Sequence, residues 1–345
     1  MASFLKRFER WIEVRSFERD YGEQVRAAGL FDDNFYQEHL GGRKTKSLLR
    51  HYLLEGWRVK LSPHPRITSS DIATQWGYYG WVEPISPLEG YWKTGRFFGL
   101  DFTGSDYKKD LKTQLTPVAW PEQRANKAVV VHAFYVEESK LILKELLRIS
   151  ELVDVIVTTP HEVEVIQGVV NSAGLSAQVI KTPNIGRDIF PFIYLIENGL
   201  LDRYKFVGKL HSKRSLHRAD AKQWLENCIN CVIKYASNNE MLETHGLVAP
   251  LGTLTRNHNF YANSLRIQWL CAKLGFMFAE QDLVFAEGSM FWARSAALKS
   301  VKDARLDIRD FQGECGQLDG TLAHALERFF GISCVKNGFE IIEDS

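Results

Sequence analysis

The sequence predicts an α/β protein, built on a largely parallel sheet with helices on both faces and preceded by a small, mainly helical domain. From residue 126 onward, short β-branched runs alternate with longer stretches of helical period, the pattern of βαβ units. Before residue 100 such runs are missing, and short helical stretches are stopped by glycine and proline instead. The length, 345 residues, accommodates about two domains.

Composition narrows the class. Hydrophobic residues make up 45% and charged residues 25%, which is ordinary for a soluble globular chain. The net charge of +1 supplies no bulk field for nucleic acid, so nucleic acid is not an expected partner. No apolar run reaches the roughly 18 residues that a spanning helix needs. The opening stretch MASFLKRFERWIEVRSF is not a secretory signal, because charges interrupt every apolar run. Five cysteines (Cys228, Cys231, Cys271, Cys315, Cys334) are too few and scattered for a disulfide framework. Cys228 and Cys231 form a C-x-x-C, but within WLENCINCVIKY they fall on the inner face of a helix, so buried thiols are expected. The expected compartment is the cytoplasm.

Residues 1–25 read as an amphipathic helix with Phe4, Phe8, Trp11 and Ile12 on one stripe and Lys6, Arg7, Arg10, Arg15 and Arg19 as basic flanks. Such a stripe suits a membrane interface; the plainer expectation is that it docks on the chain's own next domain. Residues 26–100 hold a weak repeat. SLLRHYLLEGW (47–57) and SPLEGYWKTGR (86–96) align with Ser, Leu, Tyr and Gly in register, each reading as a short helix stopped by Gly56 or Gly95. The Trp and Tyr of this region are expected to fill a small core. Residues 101–125 read as a linker.

In the remainder, residues 126–345, strands are expected at 127–135, 153–160, 177–184 and 205–211, with helices at 137–152, 161–175 and 189–200. Ligands of such sheets sit beyond the carboxyl ends of the strands. His132, Thr158, Thr159, Asn184 and the run from Lys209 to Lys213 fall at or just past those ends. No G-x-G-x-x-G follows the first strand, and there is no G-x-x-x-x-G-K-[ST], G-x-S-x-G or H-E-x-x-H. The site is therefore read from NIGRDIF and KLHSKRS. Gly186 allows close backbone approach. Arg187 offers a fork for phosphate or carboxylate, and Asp188 grips a hydroxyl or orients that Arg. On an extended segment Lys209, His211 and Lys213 share one side, which suits an anionic group such as a diphosphate. The alternative is a solvated basic loop.

VVVHAFY, VIVTTP, NIGRDIFPFI, VGKLHSKRS, GLVAPLG, EGSMFWARSAAL and QLDGTLAHALERFFG, in that order over about 127–335, resemble the rhamnan synthesis protein F family of bacterial polysaccharide glycosyltransferases. The resemblance implies transfer of a sugar, typically L-rhamnose from dTDP-rhamnose, to a growing surface glycan such as O-antigen. The expected partners are a nucleotide-sugar donor, a lipid-linked or growing glycan acceptor and the inner face of the cell membrane. The element order also resembles a GT-A fold, a Rossmann-type nucleotide-binding half followed by an acceptor half. In that fold an Asp-x-Asp that holds a metal usually ends the fourth strand. Lys209-x-His211-x-Lys213 stands there instead, which implies a metal-free transferase without a cofactor. Transfer of rhamnose from a β-linked donor to an α-linked product, as the resemblance implies, is inverting. By the same resemblance His132, Thr158, Asn184, Gly186, Arg187, Asp188, Lys209, His211 and Lys213 hold the donor. Glu287, Trp292 and Arg294 line the acceptor side. Asp319 at a helix start is the implied general base, with Glu314 and then Glu287 as alternatives. A non-catalytic glycan-binding or assembly protein with a decayed transferase domain is the competing reading.

Overall fold

Four β-branched runs form the strands that the alternation predicts: β1 (Lys127–His132), β2 (Asp154–Thr159), β3 (Ala177–Lys181) and β4 (Phe206–His211). The computed structural model describes residues 2–67, 85–115, 123–212, 221–256 and 260–344. Lys213, residues 116–122 of the linker and residues 68–84 between the two aligned helical segments lie outside the described residues.

The chain divides into two compact units. One comprises residues 1–112 and 312–321, the other 113–311 and 322–345. The larger unit carries a seven-stranded sheet in the order β3-β2-β1-β4-β8-β5-β9, with β5 at Leu247–Ala249, β8 at Phe291–Arg294 and β9 at Ile341–Glu343. β1 to β4 are mutually parallel and β5 is parallel to β9, whereas β8 runs antiparallel to both of its neighbours. A separate antiparallel pair joins β6 (Leu254–Arg256) to β7 (Val284–Ala286).

Strand alternation sends Val129, Val131, Val155, Val157, Phe206 and Leu210 to one face. There they meet the helices Val136–Leu146, Val163–Ser172 and Ala221–Ala236 in one apolar cluster. Cys228 and Cys231 belong to that cluster, as buried thiols. The other face receives the helices Ile189–Glu197 and Leu322–Lys336, where Phe192, Phe291 and Phe330 meet edge to face at 5.3–6.3 Å between centroids. Pro191 sits in the first turn of its helix, where its missing N–H costs no hydrogen bond. β1 and β4 are buried along their whole length, as strands inside a doubly covered sheet must be.

The smaller unit is mainly helical. Its core gathers Val14, Phe17, Leu30, Tyr36, Leu49, Tyr52, Leu88, Tyr91 and Phe102. The two aligned segments begin alike. Ser47 Oγ accepts from Arg50 N at 3.2 Å and Ser86 Oγ from Glu89 N at 3.3 Å. Leu49 and Leu88, and Tyr52 and Tyr91, are buried at matching positions. The first then runs as one α-turn into a π-turn, Tyr52–Gly56, while the second is the α-helix Pro87–Lys93. Cys315 joins the same core, because residues 312–321 return to this unit. Tyr91 Oη donates to Cys315 O at 3.1 Å, and Leu318 N donates to Arg96 O at 2.9 Å.

The N-terminal helix, Ala2–Ala27, corrects one expectation. The face that docks is Val14, Phe17 and Val25, all buried. Phe8, Trp11 and Ile12 stay exposed together with Leu5, at 36–53%. The two apolar stripes point in different directions, so one helix carries an inward face in its second half and an outward face in its first.

Candidate functional site

The carboxyl ends of β1, β2 and β4 and the amino end of the antiparallel β8 lie at one edge of the sheet. Register pairs His132 with Thr158 and with His211, and Lys209 with Phe291. A small open pocket there is lined by Arg187, Asp188, His211, Gly288, Ser289, Ala323, His324 and Glu327, all within the larger unit.

The turn before helix Ile189–Glu197 uses Gly186 at φ 62° and Arg187 at φ 57°. A Cβ on Gly186 would stand 2.5 Å from Phe311 and 2.7 Å from Phe190, so packing, not only conformation, demands glycine. This turn leaves Asp188 at the N-cap position, yet its carboxylate caps no backbone N–H. It is aimed across the pocket floor at β4 instead. Lys209 Nζ lies 2.5 Å from Asp188 Oδ2, 3.1 Å from Ser289 O and 3.0 Å from Ser289 Oγ. Ser289 Oγ donates to Asp188 Oδ2 at 2.7 Å. His211 Nε2 donates to Gly288 O at 2.7 Å and lies 3.9 Å from Asp188 Oδ2. Glu327 Oε1 accepts from Gly288 N at 2.6 Å. Burial alone would raise the Asp188 pKa. The adjoining His211 and Lys209 charges and the two hydrogen bonds hold it well below the usual carboxylate range.

Four side chains from three elements thus grip the Gly288–Ser289 turn. That turn needs the grip, since Ser289 adopts φ 53° and a Cβ on Gly288 (φ 82°) would meet Trp224 at 2.5 Å.

The strand periodicity correctly puts Lys209 and His211 on one side, but that side is the protein interior. Lys209 is 1% exposed and His211 2%. They are internal counter-charges for Asp188 and donors to the Gly288–Ser289 turn, not cations open to solvent. Their burial follows from β4 lying between β1 and β8 with a helix over each face. His132 and Thr158 are also buried and bonded to each other, His132 Nδ1 to Thr158 Oγ1 at 3.0 Å. Burial pushes the His132 pKa down to about 3, so the ring is neutral. Asn184 is exposed.

Two acceptor-side expectations fail, one because β8 is antiparallel and one because of burial. Its last residue, Arg294, pairs with the first residue of β4, Phe206, at the opposite sheet edge. There Arg294 Nη1 donates to Glu243 O at 2.8 Å. Trp292 is fully buried, and its indole donates to Val232 O at 2.9 Å, so it is core and offers no face to a sugar. Glu287 is exposed on the loop leading into the gripped turn. Asp319 does not open the following helix, which begins at Leu322, and Asp319 and Glu314 both lie in the returning segment of the smaller unit.

Sequence reading passed over Ser289 as a polar strut and missed His324 and Glu327 altogether. The signal available was a His and a Glu three residues apart on the otherwise apolar LAHALERFF. Among the described residues no group of three or more His, Cys, Asp or Glu is placed to hold a metal ion. A roomier hollow opens where β1, β2 and β3 begin, lined by Arg124, Asp154, Ser176 and Gln178. There the Asp154 carboxylate is engaged by the Arg124 N–H at 3.1 Å, and the α/β rule favours the other edge.

Two curated relatives from Xanthomonas campestris pv. campestris strains, both described as uncharacterized protein WxcX, are similar to this chain. They are 30% identical over 253 and 250 residues, which covers 70% of this chain and 36% of each relative. The chain thus spans about a third of the length of the curated relatives it matches. Residues 107–339 match the family of rhamnan synthesis protein F. That match takes in β1 to β8 and every side chain around the pocket, and the chain belongs to the rhamnan synthesis protein F family.

Proposed function

We propose that this protein is a glycosyltransferase of polysaccharide synthesis that moves a sugar, L-rhamnose from dTDP-rhamnose, onto a growing bacterial surface glycan such as O-antigen with inversion. The observation that carries this reading is the pocket at the carboxyl edge of β1 and β4, lined by Arg187 and Asp188 on one turn and by Gly288 and Ser289 on another. The order β3-β2-β1-β4 followed by an antiparallel strand supports a GT-A-like arrangement. Arg187 lines the pocket and is the guanidinium assigned to the donor diphosphate. Lys209 already pairs with Asp188, so an internal ammonium takes the place that a metal would have beside that carboxylate. The transfer is therefore assigned a metal-free course. Family membership ties the chain to polysaccharide synthesis; the donor, the linkage and the metal-free course are the proposal.

The outward stripe Leu5, Phe8, Trp11 and Ile12, edged by Lys6, Arg7 and Arg15, supports peripheral docking on an anionic lipid surface, where a lipid-linked acceptor would sit.

A panel of nucleotide-sugars tests the reading. The expected outcome is a rise in melting temperature with dTDP-rhamnose, since a ligand about 100-fold above its Kd stabilises by about 2.7 kcal/mol. Nucleoside diphosphate should be released when acceptor is added, equally with and without EDTA. No shift and no release with any donor would overturn the transferase reading. Loss of turnover in EDTA, restored by Mn²⁺, would overturn the metal-free course.

A further inference from the structure

An inverting transfer needs one group to take the proton of the attacking hydroxyl. We infer that this group is Glu327, an inference that rests on the transferase reading. Two carboxylates line the pocket, Asp188 and Glu327. Asp188 is spent. Lys209 and Ser289 both bond its Oδ2, His211 adds charge, and its pKa lies far too low to accept a proton near neutrality. Glu327 is held by other groups: its Oε1 accepts the Gly288 N–H at 2.6 Å, and Arg328 Nη1 pairs with Oε2 at 3.4 Å.

Three features place this carboxylate for work on a bound hydroxyl. It projects from the helix Leu322–Lys336 three residues after His324, so both side chains face the same pocket. The Gly288 bond fixes its orientation against a turn that is itself clamped by Lys209 and His211. It also belongs to the same unit as the strand edge at which the pocket opens.

The step balances without any further reagent. The acceptor hydroxyl oxygen attacks the anomeric carbon. The bond from that carbon to the diphosphate oxygen breaks, and its electron pair leaves on the nucleoside diphosphate. The hydroxyl proton passes to Glu327.

The test compares Glu327→Gln and Glu327→Asp in the full-length protein. Gln keeps an oxygen that can accept from Gly288 N but cannot take a proton. Asp keeps a carboxylate but is one methylene short of Gly288. For a base, Glu327→Gln should lower kcat by about 10²-fold or more, on the scale of a lost general base, and erase the acid limb of the kcat–pH profile. The donor-induced melting shift should stay as in wild type, and Glu327→Asp should turn over faster than Glu327→Gln. The reverse order, with Gln the more active, would make Glu327 a strut for the turn and overturn the inference. So would a loss confined to Asp319→Asn. Wild-type protein that releases no diphosphate from any donor overturns the transferase reading itself, and that result is distinct from normal turnover by Glu327→Gln beside an active wild type.

Discussion

At Lys209 the side chain nearest to a phosphate ligand in the sequence turns out to be an internal counter-ion. Removing one member of a buried pair leaves the other charged and unpartnered, at a cost of roughly 3–5 kcal/mol. Lys209→Met should therefore lower the unfolding free energy measured in urea by that order, and adding Asp188→Asn should recover part of the loss. A phosphate ligand would behave otherwise, with donor affinity falling and stability unchanged. The Asp188 carboxyl is held well below its unfolded value of about 3.9, so its stabilisation is complete above that pH and fades only in stronger acid. His132 has the opposite consequence. Its folded pKa is lowered to about 3 while the unfolded chain takes up its proton near 6.5, so acid favours the unfolded state. Stability should fall by up to about 1.4 kcal/mol per pH unit between those values on account of this ring. Equilibrium unfolding across pH 4–7 should show His132→Gln with the shallower slope; an unchanged slope would mean that the ring is protonated in the fold.

At the scale of an element, the N-terminal helix has two faces with two tasks. Phe17 is buried, and Phe17→Ala should cost roughly 3–5 kcal/mol in stability, as cavity-forming core truncations do. Phe8 and Ile12 lie on the outward face, each about half exposed at 51% and 50%. Phe8→Glu with Ile12→Glu should leave the unfolding midpoint in place and reduce cosedimentation with vesicles containing anionic lipid. Arg10 does not serve the outward face, because its guanidinium is bonded to the buried Glu89, which also takes Lys93 at 2.8 Å. Arg19 is paired with Asp20 at 2.8 Å, so the basic residues left for lipid are Lys6, Arg7 and Arg15, all exposed. Vesicle binding that survives the double substitution would assign the face to another occupant.

At the scale of the whole molecule, the smaller unit is not one continuous piece of chain. Its core includes Cys315, Tyr91 Oη bonds Cys315 O, and Gln317 Nε2 reaches Leu100 O at 3.4 Å. A fragment of residues 1–115 lacks those partners. It should melt lower than the same fragment carrying residues 312–321 on a flexible linker, as followed by circular dichroism. Equal melting temperatures would mean that the returning segment contributes no stability to this core.

What local sequence determines is periodicity, and periodicity sufficed for β1 to β4, for the helices between them and for the edge at which side chains gather. It also sufficed to put Lys209 and His211 on one side of β4, because the two-residue repeat of a strand depends on nothing beyond the strand. Which side is interior is not local. It depends on the helix and the antiparallel strand that cover β4, and on the meeting of Asp188, Lys209 and Ser289 from positions up to 101 residues apart. The direction of β8 decided that Ser289 enters the site while Arg294 leaves it, and no run of residues encodes strand direction by itself. The return of 312–321 to the smaller unit carried Asp319 with it and left Glu327, one turn further along the next helix, against the gripped turn. Such pairings are settled by packing among distant elements, so only the tertiary structure could decide them.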